Sequence, residues 1–277
     1  MKVTVLLENS TPSDRFCAAH GLSLFLETDD HRILFDMGPD RSFIANGKAL
    51  GIDVAEADIA FLSHGHFDHG GGLPAYLALL DDIGRTTPVY LHEGAFGQHR
   101  AKTPMGLKDI GIDQRIRDDE RLRFVDGLVA IDDELSIFTS VEPKRLAPQS
   151  NHVLLEETSK GFEPDAFAHE LSLLVKEGDG VTLVTGCSHC GIVNIVEAAE
   201  EFAGGPLHAV VAGFHLMNPA SGEVEDPEVT RAVARFLAER STRYYTFHCT
   251  GLLAYSLLRD ELGPQITYLP TGSIITV

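Results

Sequence analysis

The chain has 277 residues, enough for one large domain or two modest ones with a good core. Acidic residues outnumber basic ones 41 to 22, a formal net charge of −19, which argues against nucleic acid or an anionic membrane as a partner. With 44% hydrophobic and 23% charged residues, no apolar run of the ~18 residues a membrane span needs, no signal-peptide pattern at the N-terminus and four scattered cysteines, the chain reads as a globular protein of a reducing, cytoplasmic compartment. In chain order, "KVTVLLE", "LSLFLET" and "RILFDMG" are predicted strands, with Asp29–Asp30 turning between the last two. A helix follows over Ser42–Leu50, stopped by Gly51. Next come a buried strand "IAFLSH", a helix over Leu73–Leu80 and a strand "PVYLH". Residues Glu93–Arg121, rich in Gly, Arg and Asp and poor in periodicity, read as an irregular segment, a functional loop or lid or else disordered. Short strands are expected in "RLRFVDG", "LVAIDD" and "LSIFTS", then a hairpin in "LSLLVKEGDGVTLVTG". The rest alternates: helix "IVNIVEAAEEF", strand "LHAVVAGF", a helix capped by Asp226 and opened by Pro227, strand "YYTFH", helix "GLLAYSLLRDEL", and closing strands "ITYLP" and "SIITV". No Pro/Ser-rich linker divides residues 1–277, so two similar α/β halves of one domain are expected.

The most specific stretch is "SHGHFDHGGG", residues 63–72. The run "IAFLS" delivers an extended chain into it, so His64 and His66, two apart, face the same side. Phe67 is expected to anchor the turn in the core. Asp68 and His69 follow as the chain turns toward a helix, and Gly70–Gly72 remove side chains where the backbone bends tightly. Three imidazoles and a carboxylate in six residues make a metal site, since both donor types suit zinc, iron or manganese.

"SHGHFDHGGG" resembles the H-x-H-x-D-H motif of the metallo-β-lactamase fold superfamily. The resemblance implies an α+β four-layer αββα sandwich, with one or two divalent ions, zinc first among them, at an edge between two sheets. With "HGLSLFLET", "ILFDMG", "LVTGCSHCGIVNIV", "VVAGFHL" and "FHCTG", the chain is similar to the branch that includes the archaeal dihydropterin–ribofuranosylaminobenzene phosphate synthase. That implies a small, phosphorylated substrate and either hydrolysis or transfer, with Asp68 orienting the nucleophile or taking its proton. It also implies Asp36 behind the metal loop and two further ligands from the second half, His189 and His248. Each of these two histidines ends a predicted strand ahead of a helix, where a neutral imidazole is favoured. His215 and His20 are motif matches expected at the substrate pocket. Relatives place a bridging aspartate after a "TG" strand end; this chain has Cys187 there, a softer ligand.

Three functions stay open at this point. The first is a metal-dependent hydrolase or transferase. The second is a thiol redox protein using Cys187 and Cys190, which leaves "SHGHFDHGGG" unexplained. The third is a metal- or ligand-binding protein without turnover. Arg100, Arg115 and Arg117 are expected to pair with surface acids rather than hold phosphate. His92, His99, His152 and His169 have no evident partner in the sequence.

Overall fold

The computed structural model describes residues 1–218 and 221–277. Two seven-stranded mixed sheets pack face to face. The first runs, edge to edge, through Ile274–Thr276, Lys2–Leu7, Ser23–Glu27, Arg32–Phe35, Ile59–Phe61, Val89–Leu91 and Leu122–Phe124. The second runs through Ile266–Tyr268, Arg243–Thr246, Ala209–Ala212, Gly180–Thr185, Leu171–Glu177, Leu135–Thr139 and Val129–Ala130. The last strand pairs with the first, Val3 opposite Ile275, so the C-terminus closes onto the N-terminal sheet.

The period of two along each strand builds the layers. In Arg32–Phe35, Ile33 and Phe35 point between the sheets and meet Leu173, Val184 and Phe247 from the second sheet. Leu34 points the other way, under the helix residues Phe43, Tyr76 and Leu80. On the second sheet, Leu183 and Val210 face outward beneath Ile195, Val233 and Leu258 of three helices. The layers are therefore helix, sheet, sheet, helix, as the resemblance implies. Gly51 ends the first helix at φ 79°, and the Asp226 side chain accepts the Glu228 N–H at 2.7 Å to start the helix Pro227–Ala238, both as the sequence predicts.

The segment Glu93–Arg121 departs from its expected irregularity. Its strands His99–Thr103 and Gly106–Asp109 join Leu154–Thr158 and Gly161–Pro164 in a third, four-stranded sheet. These strands are short and polar; the two central ones bury Ala101 and Leu154 while both edge strands stay largely exposed, so little hydrophobic alternation marks them in the sequence.

Within the main sheets, Arg32–Phe35, Ile59–Phe61 and Val89–Leu91 are parallel, as are Gly180–Thr185, Ala209–Ala212 and Arg243–Thr246. Asp36, Ser63–His66, Cys187–His189, His215 and His248 all follow directly on the carboxyl ends of these strands. That end is where open parallel sheets bind their ligands.

Candidate metal centre

Three buried imidazoles, those of His64, His66 and His189, converge from the two sheets. One ligand atom of each lies within 4.8 Å of the other two. Their Nε2 atoms are buried and have no hydrogen-bond partner among the described residues. An unsatisfied buried nitrogen is costly, and three pointing at one another call for a shared ligand. Beside them, His248 Nε2 lies 3.3 Å from Asp68 Oδ2 and 3.2 Å from His69 Nε2. Cys187 Sγ is 3.1 Å from His69 Nε2 and groups with His64 and His69 on one side and with His248 on the other.

The outward nitrogens explain why these rings point inward. His69 Nδ1 donates to Asp36 Oδ2 at 2.6 Å, and His64 Nδ1 donates to Ser63 Oγ at 2.9 Å, whose hydroxyl donates on to Asp36 at 2.7 Å. His189 Nδ1 donates to Asn151 Oδ1 at 3.0 Å, and His248 Nδ1 donates to Asn9 Oδ1 at 2.7 Å. Each asparagine returns its amide N–H to the carbonyl of the histidine it holds, at 2.7 Å and 3.4 Å. The imidazoles of His64, His189 and His248 thus keep the proton on Nδ1 and the lone pair on Nε2, the tautomer and orientation that outer-shell partners impose on metal-ligating histidines, and Asp36 holds His69 in the same orientation.

Buried carboxylates hold the backbones that carry these rings. Asp36 accepts the Ser63 N–H at 2.7 Å. Glu170 accepts the His189 and Cys190 N–H groups at 2.6 and 2.9 Å, and Glu8 accepts the His248 N–H at 3.1 Å. Asp36, Ser188, His215 and His248 all sit at positive φ, between 47° and 59°. Strained non-glycine residues of this kind cluster where function requires a fixed geometry.

A family model of the metallo-β-lactamase superfamily matches residues 19–193, more than half of the chain. The chain belongs to the metallo-β-lactamase superfamily. It is 25% identical to the 7,8-dihydropterin-6-methyl-4-(β-D-ribofuranosyl)-aminobenzene-5'-phosphate synthase of Methanocaldococcus jannaschii, over 94% of this chain and 90% of that protein. An uncharacterized protein of the same organism, MJ0448, is 30% identical over 99% of this chain and 100% of its own. Among solved structures, Tm1679, a metal-dependent hydrolase of the β-lactamase superfamily, matches with TM-score 0.83 and 26% identity, covering 100% of this chain and 99% of that one. Zn(2+)-bound PqqB from Methylobacterium extorquens shares the fold alone, with TM-score 0.58 and 13% identity over the full length of both chains.

For this metallo-β-lactamase superfamily member, His20 does more than line the pocket: its Nε2 lies 3.1 Å from Asp68 Oδ2. His215 faces the same pocket, its ring centroid 4.2 Å from that of His189 and its Nδ1 without a partner among the described residues. Phe67 packs against the core as expected, but it stays half-buried and also forms a wall of the pocket. The two cysteines of "GCSHCG" face different surroundings. Cys187 turns to the histidines and to Cys249, whereas Cys190 Sγ lies 3.8 Å from the Phe167 carbonyl, ahead of a helix that begins only at Ile192. Arg115 and Arg117 pair with Asp113 and Glu93, and Arg100 with Asp109, so the arginines of the third-sheet segment are satisfied.

His99 and His169, without evident partners in the sequence, flank Asp165. His99 Nδ1 lies 3.0 Å and His169 Nε2 3.3 Å from the same Oδ2. His99 Nε2 donates to the Gly94 carbonyl at 3.1 Å, and His169 Nδ1 accepts the Gly65 N–H at 3.1 Å. The trio therefore pins the peptide between His64 and His66. Gly65 is required there, because a Cβ would come 2.3 Å from the Ala95 carbonyl oxygen. His99 and Asp165 are 66 residues apart and Gly65 and His169 are 104 apart, so no local pattern announces them.

Burial holds the pKa of His64, His66, His189 and His248 below the ordinary range, so these rings are neutral at pH 7. Burial opposes protonation of His69 as well, but the Asp36 and Asp68 carboxylates outweigh it and raise it to about 9. Asp68 is held low by His69, His20 and His248 against the cost of its burial. A lowered histidine pKa contributes stability above the unfolded value of about 6.5, and that stability is lost as pH falls. His69 acts oppositely: its contribution is present below about 6.5 and fades as pH rises through about 9. With four lowered rings against one raised, the thermal midpoint of the chelator-treated protein is expected to fall between pH 7 and pH 5. Melting curves across that range check it; an unchanged or rising midpoint would contradict it.

Proposed function

We propose that this chain is a metal-dependent enzyme acting on a small phosphorylated substrate, by hydrolysis or by transfer. The observation that carries the reading is the convergence of His64, His66 and His189, whose buried Nε2 atoms have no partner among the described residues, beside His69 and His248, whose Nδ1 atoms are held by Asp36 and Asn9. In this reading His64, His66 and His189 hold one divalent ion, and Asp68, His69 and His248 hold a second. Cys187 lies between them, where the superfamily resemblance implies a bridging carboxylate. Imidazole and carboxylate donors suit zinc, iron or manganese, and the neighbouring thiol tilts the set toward zinc. Ions bound there would supply an acidified water and a clamp on a phosphoryl or carbonyl oxygen.

The chain's own residues do the rest. Asp68, kept ionised, orients the nucleophile and receives its proton. His20, 3.1 Å away and about one-third exposed, passes that proton toward solvent. His215, which lines the same pocket beside His189, offers its unpartnered Nδ1 to the substrate. The 5'-phosphate in the name of the Methanocaldococcus synthase supports a phosphorylated substrate and keeps transfer open beside hydrolysis. The net charge of −19 speaks against nucleic acid. Among the described residues no helix is long and apolar enough to cross a membrane.

Anomalous scattering at the zinc, iron and manganese edges, with turnover assays on phosphoesters, thioesters, lactones and a dihydropterin diphosphate acceptor pair, tests the proposal. Metal at the histidines and turnover lost on chelation are expected. A native protein free of metal would sink it, and tight metal with no turnover across the panel would favour the non-catalytic binder.

A further inference from the structure

The third sheet roofs the pocket and brings a charge to it. Ala101 is the register partner of Lys108 on one side and of Leu154 on the other, and all three line the pocket in front of the histidines. Residues in register on adjacent strands share a face, so Lys108, Ala101 and Leu154 form one row across the roof. Phe67 forms the facing wall, and Lys108 Nζ lies 5.3 Å from its ring centroid. Lys108 is the one lysine or arginine among the described residues lining this pocket. It makes no ion pair among the described residues. The arginines around it are neutralised: Arg100 by Asp109, Arg115 by Asp113, Arg117 by Glu93 and Arg121 by Asp119 and Asp81. In a chain with 41 acids and 22 bases, a lysine left unpaired at a pocket wall is a cation available to a ligand.

The other lining residues say what that ligand carries besides charge. Phe67, Ala101, Ile110, Val153 and Leu154 present apolar surface between Lys108 and the histidines. The strand His99–Thr103 sets the spacing. His99 lies at the inner end, its ring centroid 5.7 Å from that of His66. Ala101, opposite Lys108, is two residues further out, ~7 Å along an extended strand.

We propose that the pocket takes an organic anion with a flat apolar body, whose anionic group is held by Lys108 at the outer end while its reacting bond lies at the histidines. This rests on the reading of the histidine cluster as a metal-dependent catalytic site, and adds that substrate charge is recognised away from the reacting group. The body stacks on Phe67 and packs under the Ala101–Leu154 row. A phosphate, sulfonate or carboxylate on that body offers Lys108 the same contact, a charge-assisted hydrogen bond over an aromatic face.

Two probes that share an aromatic body and differ in charge test the site: naphthalene-2-sulfonate and its neutral counterpart, methyl 2-naphthyl sulfone. The chain has no tryptophan, so naphthalene fluorescence is read without indole background. The metal-loaded protein is expected to prefer the sulfonate by about tenfold or more, the scale of one contact to a charged group. Lys108→Met should remove that preference and leave sulfone affinity unchanged, which also shows that the variant is folded; Lys108→Arg should retain most of it. Equal affinities in the unaltered protein, or a sulfonate preference that survives Lys108→Met, would overturn the proposal. A surviving preference that vanishes on chelation would place the anion on the metals and overturn it equally. Because binding is read separately from turnover, the two ideas fail separately. An intact, Lys108-dependent preference without any turnover sinks the enzyme reading alone, and turnover without that preference sinks the anion site alone.

Discussion

His66→Ala is expected to lower metal-dependent turnover by on the order of 10³-fold or more, and to lower metal content with it. His66 offers one of three converging, unpartnered Nε2 atoms, and alanine leaves His64 and His189 as a two-nitrogen site. A bound ion supplies several kcal/mol of transition-state stabilisation, and each ~1.4 kcal/mol is a factor of ten in rate. The fold should persist, since the peptide around His66 stays pinned by the His169 contact to Gly65 and by the Phe67 N–H to the Ile110 carbonyl, at 2.8 Å. Steady-state rates beside metal analysis and a melting curve check the result. Full activity in His66→Ala would place the chemistry elsewhere.

The second large effect is expected at Asp36, which touches no substrate. One carboxylate accepts the Ser63 N–H, the Ser63 hydroxyl and His69 Nδ1, so it sets two of the rings at once. Asp36→Asn keeps an acceptor for the Ser63 N–H and tolerates φ 58°, but its amide nitrogen faces the His69 Nδ1–H donor to donor. Loss of such an outer-shell partner typically lowers metal affinity about 10- to 100-fold. Asp36→Ala should also cost stability, because three buried donors lose their acceptor at ~1–3 kcal/mol each before relaxation. Calorimetric titration of the chelated protein with zinc separates the two variants. Unchanged affinity in Asp36→Asn would show that His69 is oriented by something else.

The part of the site that is legible in the sequence is the part made locally. "SHGHFDHGGG" packs three histidines and an aspartate into six residues at the end of a buried strand, and strand periodicity alone puts His64 and His66 on one side. Asp36, His189, His215 and His248 are each visible as strand-end residues in family motifs, and all reach the same strand ends. The alternation in "RILF", the Gly51 stop and the Asp226 cap are equally local, because dihedral preference and side-chain period act over a few residues. These signals determine the αββα layers and the candidate ligand set.

What the chain could not announce is held together by contacts distant in sequence. Glu8 and Asn9 reach His248 from some 240 residues away, Asn151 and Glu170 meet on the His189 loop, and Asp165 joins His99 to the histidine that pins Gly65. Each of these is an ordinary polar residue until folding removes its water and leaves a buried donor to satisfy. The roof sheet is hidden for the related reason that its strands are short and polar, without the hydrophobic alternation that marks a strand in sequence. Lys108 in particular stands apart because folding pairs Arg100 with Asp109 and Arg117 with Glu93 but places Lys108 over the Phe67 ring. Local chemistry specified which donors exist and where the strands deliver them. Long-range packing decided their protonation, their orientation and the wall they face, since those depend on which groups are buried together.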